Sequence, residues 1–305
     1  EAIAKLENPG VSYDLMRSVC NVGQVNYLCR TTPKGMCNDA LQSFDEATRA
    51  SFTTITGLPL DDAQWAQACA RVKDAGMGLR QASRTADAAY LGSLTATADL
   101  GSAVRPEHGP RAIVSSHAVL AVAGINELLL PSQQVSPLMA GTVLKQHDLM
   151  KKVEKSNTKQ RLDVALPDTR ARLNAYSATT AAKWHGAIPS RTLDMDLASS
   201  VFVTTVALQL GVDVQEEVIS CPFCAAICDC GGRHAISCMA GGDATTVHNE
   251  VRDEVFQWCK RAMLHPFLEK AGLLSRTDLP GGRRRPADVL ICGRTGFLAG
   301  LPGGD

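Results

Sequence analysis

The chain has 305 residues, enough for two domains, and its 31 basic and 31 acidic side chains give a formal net charge of zero, so no global positive field announces a nucleic-acid binder. Hydrophobic residues at 45% and charged residues at 20% exclude a disordered chain, and aromatics at 5% leave core packing to Leu, Val, Ile and Ala. No run reaches the roughly 20 apolar residues that a membrane span needs; the longest, Ala112 to Leu130, is broken by Ser115, Ser116, His117, Asn126 and Glu127.

Residues 1–130 read as helices. Leu41, Phe44, Ala47, Phe52 and Ile55 fall close to helical spacing and predict one apolar face, which Gly57-Leu58-Pro59 ends. Asp61 or Asp62 caps the next helix, carrying Trp65, Ala68 and Val72 before Gly76 and Gly78 interrupt it. Another helix is expected from about Leu79 through Tyr90, with small residues suited to close packing. Gly101–Pro110 and Pro131–Pro137 read as loops. Lys145–Arg161 is rich in basic residues; the plain reading is a solvated helix face or linker, the functional one a phosphate-binding patch.

Further helices are predicted over Asp168–Trp184, Leu193–Leu210 and Thr245–Ala271. The last has Val251, Val255, Trp258, Ala262 and Met263 on its buried face. Val289-Leu290-Ile291, after Pro286, reads as a short buried strand, so a different domain is expected to begin near residue 240. Glu1 in place of Met, and Gly300–Asp305 without a cap or stop pattern, read as cuts through a longer protein.

The cysteines are odd in number, 11, and unevenly spaced, which argues against a secreted disulfide framework and for a reducing compartment, nuclear or cytoplasmic. Five cluster between Cys221 and Cys238, in a stretch too short and polar for a core. The spacing Cys221-x2-Cys224-x9-His234-x3-Cys238 supplies two close ligand pairs, as tetrahedral zinc requires, and Gly231-Gly232 lets the chain double back between them. Four protein ligands close the shell, so such a zinc would be structural. Cys228 and Cys230 lie in the same loop, and either could replace His234 as ligand; one residue apart, they are poorly placed to share one tetrahedron.

After the cluster, Glu269 is expected near a helix end and Asp288 at a strand start, behind Arg283-Arg284-Arg285-Pro286. Two acids from separate elements fit half of a magnesium site. Glu269 alone reads as a solvated helix-end acid, and the arginines read as a solvated loop or as phosphate contacts.

These signals together resemble the region downstream of the polymerase core in reverse-transcriptase polyproteins of non-long-terminal-repeat retrotransposons, of the kind found in algae and other protists. Leu15–Pro33, with Tyr27-Leu28-Cys29-Arg30-Thr31-Thr32-Pro33, looks like that family's thumb-side segment. Trp65-Ala66-Gln67-Ala68 and Gly76-Met77-Gly78-Leu79-Arg80 resemble its Trp-x-Gln-Ala and Gly-Leu-Gly-Leu-Arg runs, with Met77 in place of Leu. The cluster matches its Cys-Cys-His-Cys motif. His248-Asn249, Glu269-Lys270 and Arg284-Arg285-Pro286-Ala287-Asp288-Val289 resemble the opening of its restriction-like endonuclease.

The resemblance implies a mainly α chain: a helical thumb/linker-like domain over 1–215, a zinc knuckle over 216–242 and a partial endonuclease-like α/β lobe over 243–305. It implies RNA or DNA as partner, gripped by the knuckle, by Arg283, Arg284 and Arg285, and by Lys151, Lys152 and Lys155; Trp184, Phe223 and Trp258 are the candidates for base stacking. No membrane partner and no small-molecule substrate is indicated. The polymerase's paired aspartates are absent, so polymerisation is not expected here. Val289–Asp305 contains no Glu and no Lys, so Asp288 and Glu269 form an incomplete catalytic site, and magnesium-dependent cleavage is expected only from a longer chain. The rival readings are a zinc-stabilised helical interaction module without a nucleic-acid role, and a metal-dependent DNA endonuclease.

Overall fold

Glycine and proline punctuation sets the helix ends of this chain, and small residues set how closely its helices approach. The computed structural model describes residues 2–104, 115–139, 141–178, 181, 183–190, 192, 195–269 and 288–291. It is mainly helical and divides into two compact units, Glu1–Glu216 and Glu217–Asp305.

The first unit contains α1 (Pro9–Ser18), α2 (Asn26–Thr31), α3 (Lys34–Thr56), α4 (Asp62–Ala68), α5 (Ala82–Val104), α6 (Ser116–Glu127), α7 (Gln146–Val164), α8 (Pro167–Tyr176) and α9 (Ser199–Leu210). Gly57 ends α3 in the left-handed region, φ 68°, and its N–H donates to the Thr53 carbonyl at 2.8 Å. Asp61 and Gln64 open α4 as a reciprocal capping box: Gln64 N donates to Asp61 Oδ1 at 2.7 Å and Asp61 N to Gln64 Oε1 at 3.0 Å.

Helix α5 is the central element. Its Ala82, Ala86 and Ala89 pack with Cys29 of α2 and Leu41 of α3. Its Ala88 and Leu91 pack with Ala118, Ala121 and Ile125 of α6 and with Leu149 and Val153 of α7. A Cβ on Gly92 would stand 2.8 Å from the Gln146 amide nitrogen, so the start of α7 rests directly on this glycine. A further cluster joins Tyr13, Met16, Phe52, Trp65, Met77, Phe202, Val206 and Leu210. Truncating Phe52, fully buried there, would cost about 3–5 kcal/mol.

The second unit contains the antiparallel pair β1 (Ile219–Ser220) and β2 (Ile227–Cys228), then α10 (Arg233–Ser237), α11 (Asp243–Arg261), β3 (Pro266–Leu268) and β4 (Val289–Ile291). β3 and β4 pair antiparallel, with Phe267 opposite Leu290. Among the described residues no helix is long and apolar enough to cross a membrane.

Several expected boundaries move, each for a local reason. Ala47 is exposed and Asp45 faces the core instead, because the Asp45 carboxylate accepts from Ala82 N at 2.6 Å and Ser83 N at 3.1 Å. Those are first-turn amides of α5, which therefore starts at Ala82 and not near Leu79. The expected loop at Gly101 is helical through Val104, and its remainder lies outside the described residues. The helix expected over Asp168–Trp184 stops at Tyr176, where the Ser177 hydroxyl turns back to the Leu173 carbonyl at 2.7 Å. Helix α9 begins at Ser199, and Leu197 and Val201 are exposed.

The largest correction concerns α11, which ends at Arg261 and not at Ala271. Pro266 lacks an amide hydrogen and disfavours helix at His265, so the chain leaves the helix and enters β3. The face expected to be buried is open: Val251 is 60% and Trp258 58% exposed. Glu269 thus follows a strand and does not end a helix.

A buried polar network ties α1, α4, α9 and the turn at Ala75–Met77 together. Gln67 Nε2 donates to Ala75 O at 2.8 Å and to Gln209 O at 2.9 Å. Gln209 Nε2 donates to Gly76 O at 3.0 Å, which leaves Gln209 Oε1 to accept from His185 Nε2 at 3.1 Å. In the neutral imidazole His185 Nδ1 is then an acceptor, and the Tyr13 hydroxyl, 2.8 Å from Met77 O and 2.9 Å from His185 Nδ1, shares one hydrogen between them. Gly76 has no room for a side chain, since a Cβ would lie 2.2 Å from Ala70 O. Burial pulls the His185 pKa from 6.5 down to about 4, against the Gln209 hydrogen bond and with the help of nearby Arg17.

The folded imidazole holds its proton less well than the unfolded one, so its stabilisation is complete above pH 6.5 and is lost as pH falls towards 4. Its full span is about 3 kcal/mol. Asp87, whose carboxyl burial raises to about 6, works oppositely over part of this range, so the comparison must be with a variant. Urea unfolding of wild type and His185→Gln should show their stability difference shrinking by roughly 2–3 kcal/mol between pH 7 and pH 4.5. A pH-independent difference would refute the assigned state of His185.

Candidate metal centre

A short hairpin and a single helical turn bring the cysteine–histidine cluster together. In the hairpin Ile219 stands opposite Cys228 and Ser220 opposite Ile227. Cys221 N donates to Ala226 O at 2.8 Å and Ala225 N to Cys221 O at 3.0 Å, which closes a tight loop with Ala225 in the left-handed region at φ 58°. Gly232, at φ 72°, turns the chain into α10. Asp229 holds that turn: its Oδ1 accepts from Arg233 N at 3.1 Å and His234 N at 3.3 Å, and its Oδ2 pairs with Arg233 Nε at 2.9 Å. Cys238 caps the far end, its N–H donating to His234 O at 2.8 Å.

The ligand atoms of Cys221, Cys224, His234 and Cys238 all lie within 4.8 Å of one another. Cys221 Sγ is 3.7 Å from Cys238 Sγ, Cys238 Sγ is 3.8 Å from Cys224 Sγ, and Cys224 Sγ is 3.2 Å from His234 Nε2. Two sulfurs at about 2.3 Å from a tetrahedral ion stand about 3.8 Å apart, so these separations suit a shared metal ion. The amides of Phe223 and Cys224 draw the Cys221 thiol down to about 6, further helped by His234, which favours the thiolate a metal requires. Cys228 and Cys230 are not in the converging set. Cys228 is buried on β2, and burial with Cys221 nearby pushes its thiol up. Among the described residues no other three His, Cys, Asp or Glu side chains converge in this way.

The other sequence-derived candidates divide. Glu269 follows β3 and Asp288 precedes β4, and Glu269 N donates to Asp288 O at 2.9 Å, so pairing of the two strands sets the two acids side by side. Helix α11 supplies two basic partners one turn apart: His248 Nε2 is 3.6 Å from Asp288 Oδ2, and Arg252 Nη1 pairs with Glu269 Oε1. Sequence reasoning missed Arg252, although its spacing from His248 was a usable signal.

Arg283, Arg284 and Arg285 lie outside the described residues. Lys151, Lys152 and Lys155 are exposed on α7, in the first unit. Among the stacking candidates, Phe223 at 61% and Trp258 at 58% are exposed, whereas Trp184 is stacked on His185 with centroids 3.8 Å apart. Compared with known proteins, the chain matches no family model, no curated protein and no solved structure.

The four candidate ligands all lie within one short segment, so losing one should act locally. Cys224→Ser should lower metal affinity by more than about tenfold and leave the helix content of the first unit intact. Metal content and far-ultraviolet circular dichroism check both points. Undiminished metal binding would remove Cys224 from the site, and collapse of the first unit would contradict a local role.

Proposed function

We propose that Cys221, Cys224, His234 and Cys238 hold one structural zinc ion, and that the chain is a nucleic-acid-binding segment of a retroelement reverse-transcriptase polyprotein. The observation that carries the reading is the convergence of four soft or borderline ligand atoms within 4.8 Å, in the order Cys-Cys-His-Cys. With four protein ligands the ion has no open position for substrate, so its role is to fix the fold of the knuckle. Phe223, exposed between the first two ligands, is a stacking surface for an unpaired base beside the ion. The resemblance of Arg284–Val289 to an endonuclease opening supplies the nucleic-acid partner.

In this reading the Glu269 and Asp288 corner does not cut. A carboxylate already paired with Arg252 is a poor magnesium ligand, which supports binding without cleavage. The zinc-stabilised interaction module remains the second reading, favoured by the open apolar face of α11 at Val251 and Trp258.

The test is binding of a labelled mixed-sequence single-stranded oligonucleotide to zinc-loaded protein over a salt series. Binding should weaken with salt. It should be impaired by Cys224→Ser, and the joint change of Arg283, Arg284 and Arg285 to Ala should flatten the salt slope by roughly two to three units. Zinc-loaded protein that ignores the oligonucleotide at low salt would favour the interaction module.

A further inference from the structure

The neutral total charge hides an uneven distribution in the first unit. A cleft of about 880 Å³ opens between the end of α1 with the turn that follows it, the Arg71–Arg80 segment and the start of α7. Its charged wall residues are Arg17, Arg71, Lys73, Arg80, Lys151 and a single acid, Glu154; His147 also faces it. Arg17 is 3.5 Å from Asp14, and Arg71 is held by Asp74 at 2.5 Å and Glu154 at 3.7 Å. Lys73, Arg80 and Lys151 have no such ion pair among the described residues.

Across Arg80, Thr85, Met150 and Glu154 the cleft shares a wall with a cavity of about 350 Å³, which adds Arg84 and Arg161. The Arg84 guanidinium is held on that wall by Nη2, which donates to Asn157 Oδ1 at 3.1 Å, while its Nε is buried away from the cavity space. Helix α7 also starts at the cleft. No side chain hydrogen-bonds to its first turn, and Gln146 and His147 line the wall while the first-turn acid Asp148 does not, so the start of a 19-residue helix faces the cleft with its positive end partly offset by Asp148. The two adjacent cavities thus offer cations outside close ion pairs and a helix start, along a wall that a single small anion would not cover.

We infer that this cleft binds a run of phosphate groups, as presented by a phosphodiester strand or a polyphosphate. The inference deepens the nucleic-acid reading and rests on it only for the strand as the source of the phosphates. It also sorts the lysines of α7. Lys151 lines the cleft, whereas Lys152 and Lys155, adjacent to it in sequence or one turn on, do not.

The experiment titrates the full chain with two probes, inorganic tripolyphosphate and a mixed-sequence single-stranded oligonucleotide, at low salt. Arg80→Ala with Lys151→Ala should weaken both probes by about tenfold or more, and Arg80→Lys with Lys151→Arg should restore most of that loss. Lys152→Ala with Lys155→Ala, which removes the same charge from the same region, should change either affinity by less than about threefold. Equal losses from the two alanine pairs, or no loss from the first, would overturn the inference. Oligonucleotide binding that depends on Cys224 but not on Arg80 and Lys151 would sink the cleft and leave the proposed function standing. Cleft-dependent tripolyphosphate binding without oligonucleotide binding would do the reverse.

Discussion

The first unit depends on how the backbone carbonyls of Ala75, Gly76 and Met77 are satisfied. These groups lie in a buried turn where water cannot serve them, and an unmet carbonyl would be a substantial penalty. Gln67, Gln209 and Tyr13 each donate to one of them. That requirement fixes the glutamine amides, which fix the His185 tautomer, which in turn orients the Tyr13 ring within the cluster of Phe52 and Phe202. The same turn leads into Arg80 on the cleft wall. Packing, polar satisfaction and the presentation of charge therefore share one anchor, and Gly76 is small because the backbone of Ala70 runs against it.

How much of this was legible in the sequence varied with the range of the interaction. Local chemistry read well: Gly57 and Pro59 ended a helix, Asp61 capped the next, and the cysteine–histidine spacing named the four residues whose ligand atoms converge. Non-local chemistry did not. The apolar face read from Leu41, Phe44 and Ala47 leaves no sign that Asp45 caps a helix 37 residues away. His185 lies just past the helix expected to end at Trp184, and nothing nearby in sequence announces Gln209 or Tyr13 as its partners. The α11 error differs in kind: Pro266 was visible, and apolar periodicity was allowed to outweigh a residue that helices do not accept in their interior.

The charge tally shows the same limit. Zero net charge argued against a polyanion partner, but a sum over 305 residues says nothing about where charges meet. Arg17, Lys73, Arg80 and Lys151 come from three separate stretches and share a wall only after folding. The cluster at Cys221–Cys238 is the opposite case, since all of its ligands fall within one short segment and its geometry follows almost directly from the spacing. The two units therefore differ in how their candidate functional groups are assembled, by tertiary packing in one and by a local loop in the other.

The contact between Tyr13 and His185 spans 172 positions of sequence. Synthesis proceeds from the N-terminus, so α1 emerges long before the residues that hold it. Until His185, Phe202 and Gln209 have left the ribosome, Tyr13 and Met16 have lost part of their core and the carbonyls of Ala75–Met77 lack part of their cover. The nascent chain must carry that unfinished surface through most of the first unit's translation. The Cys221–Cys238 loop, whose converging side chains all lie within one short segment, can close within a few residues of Cys238. The second unit's loop thus needs no distant partner to close, while α1 has to wait for residues far downstream of it.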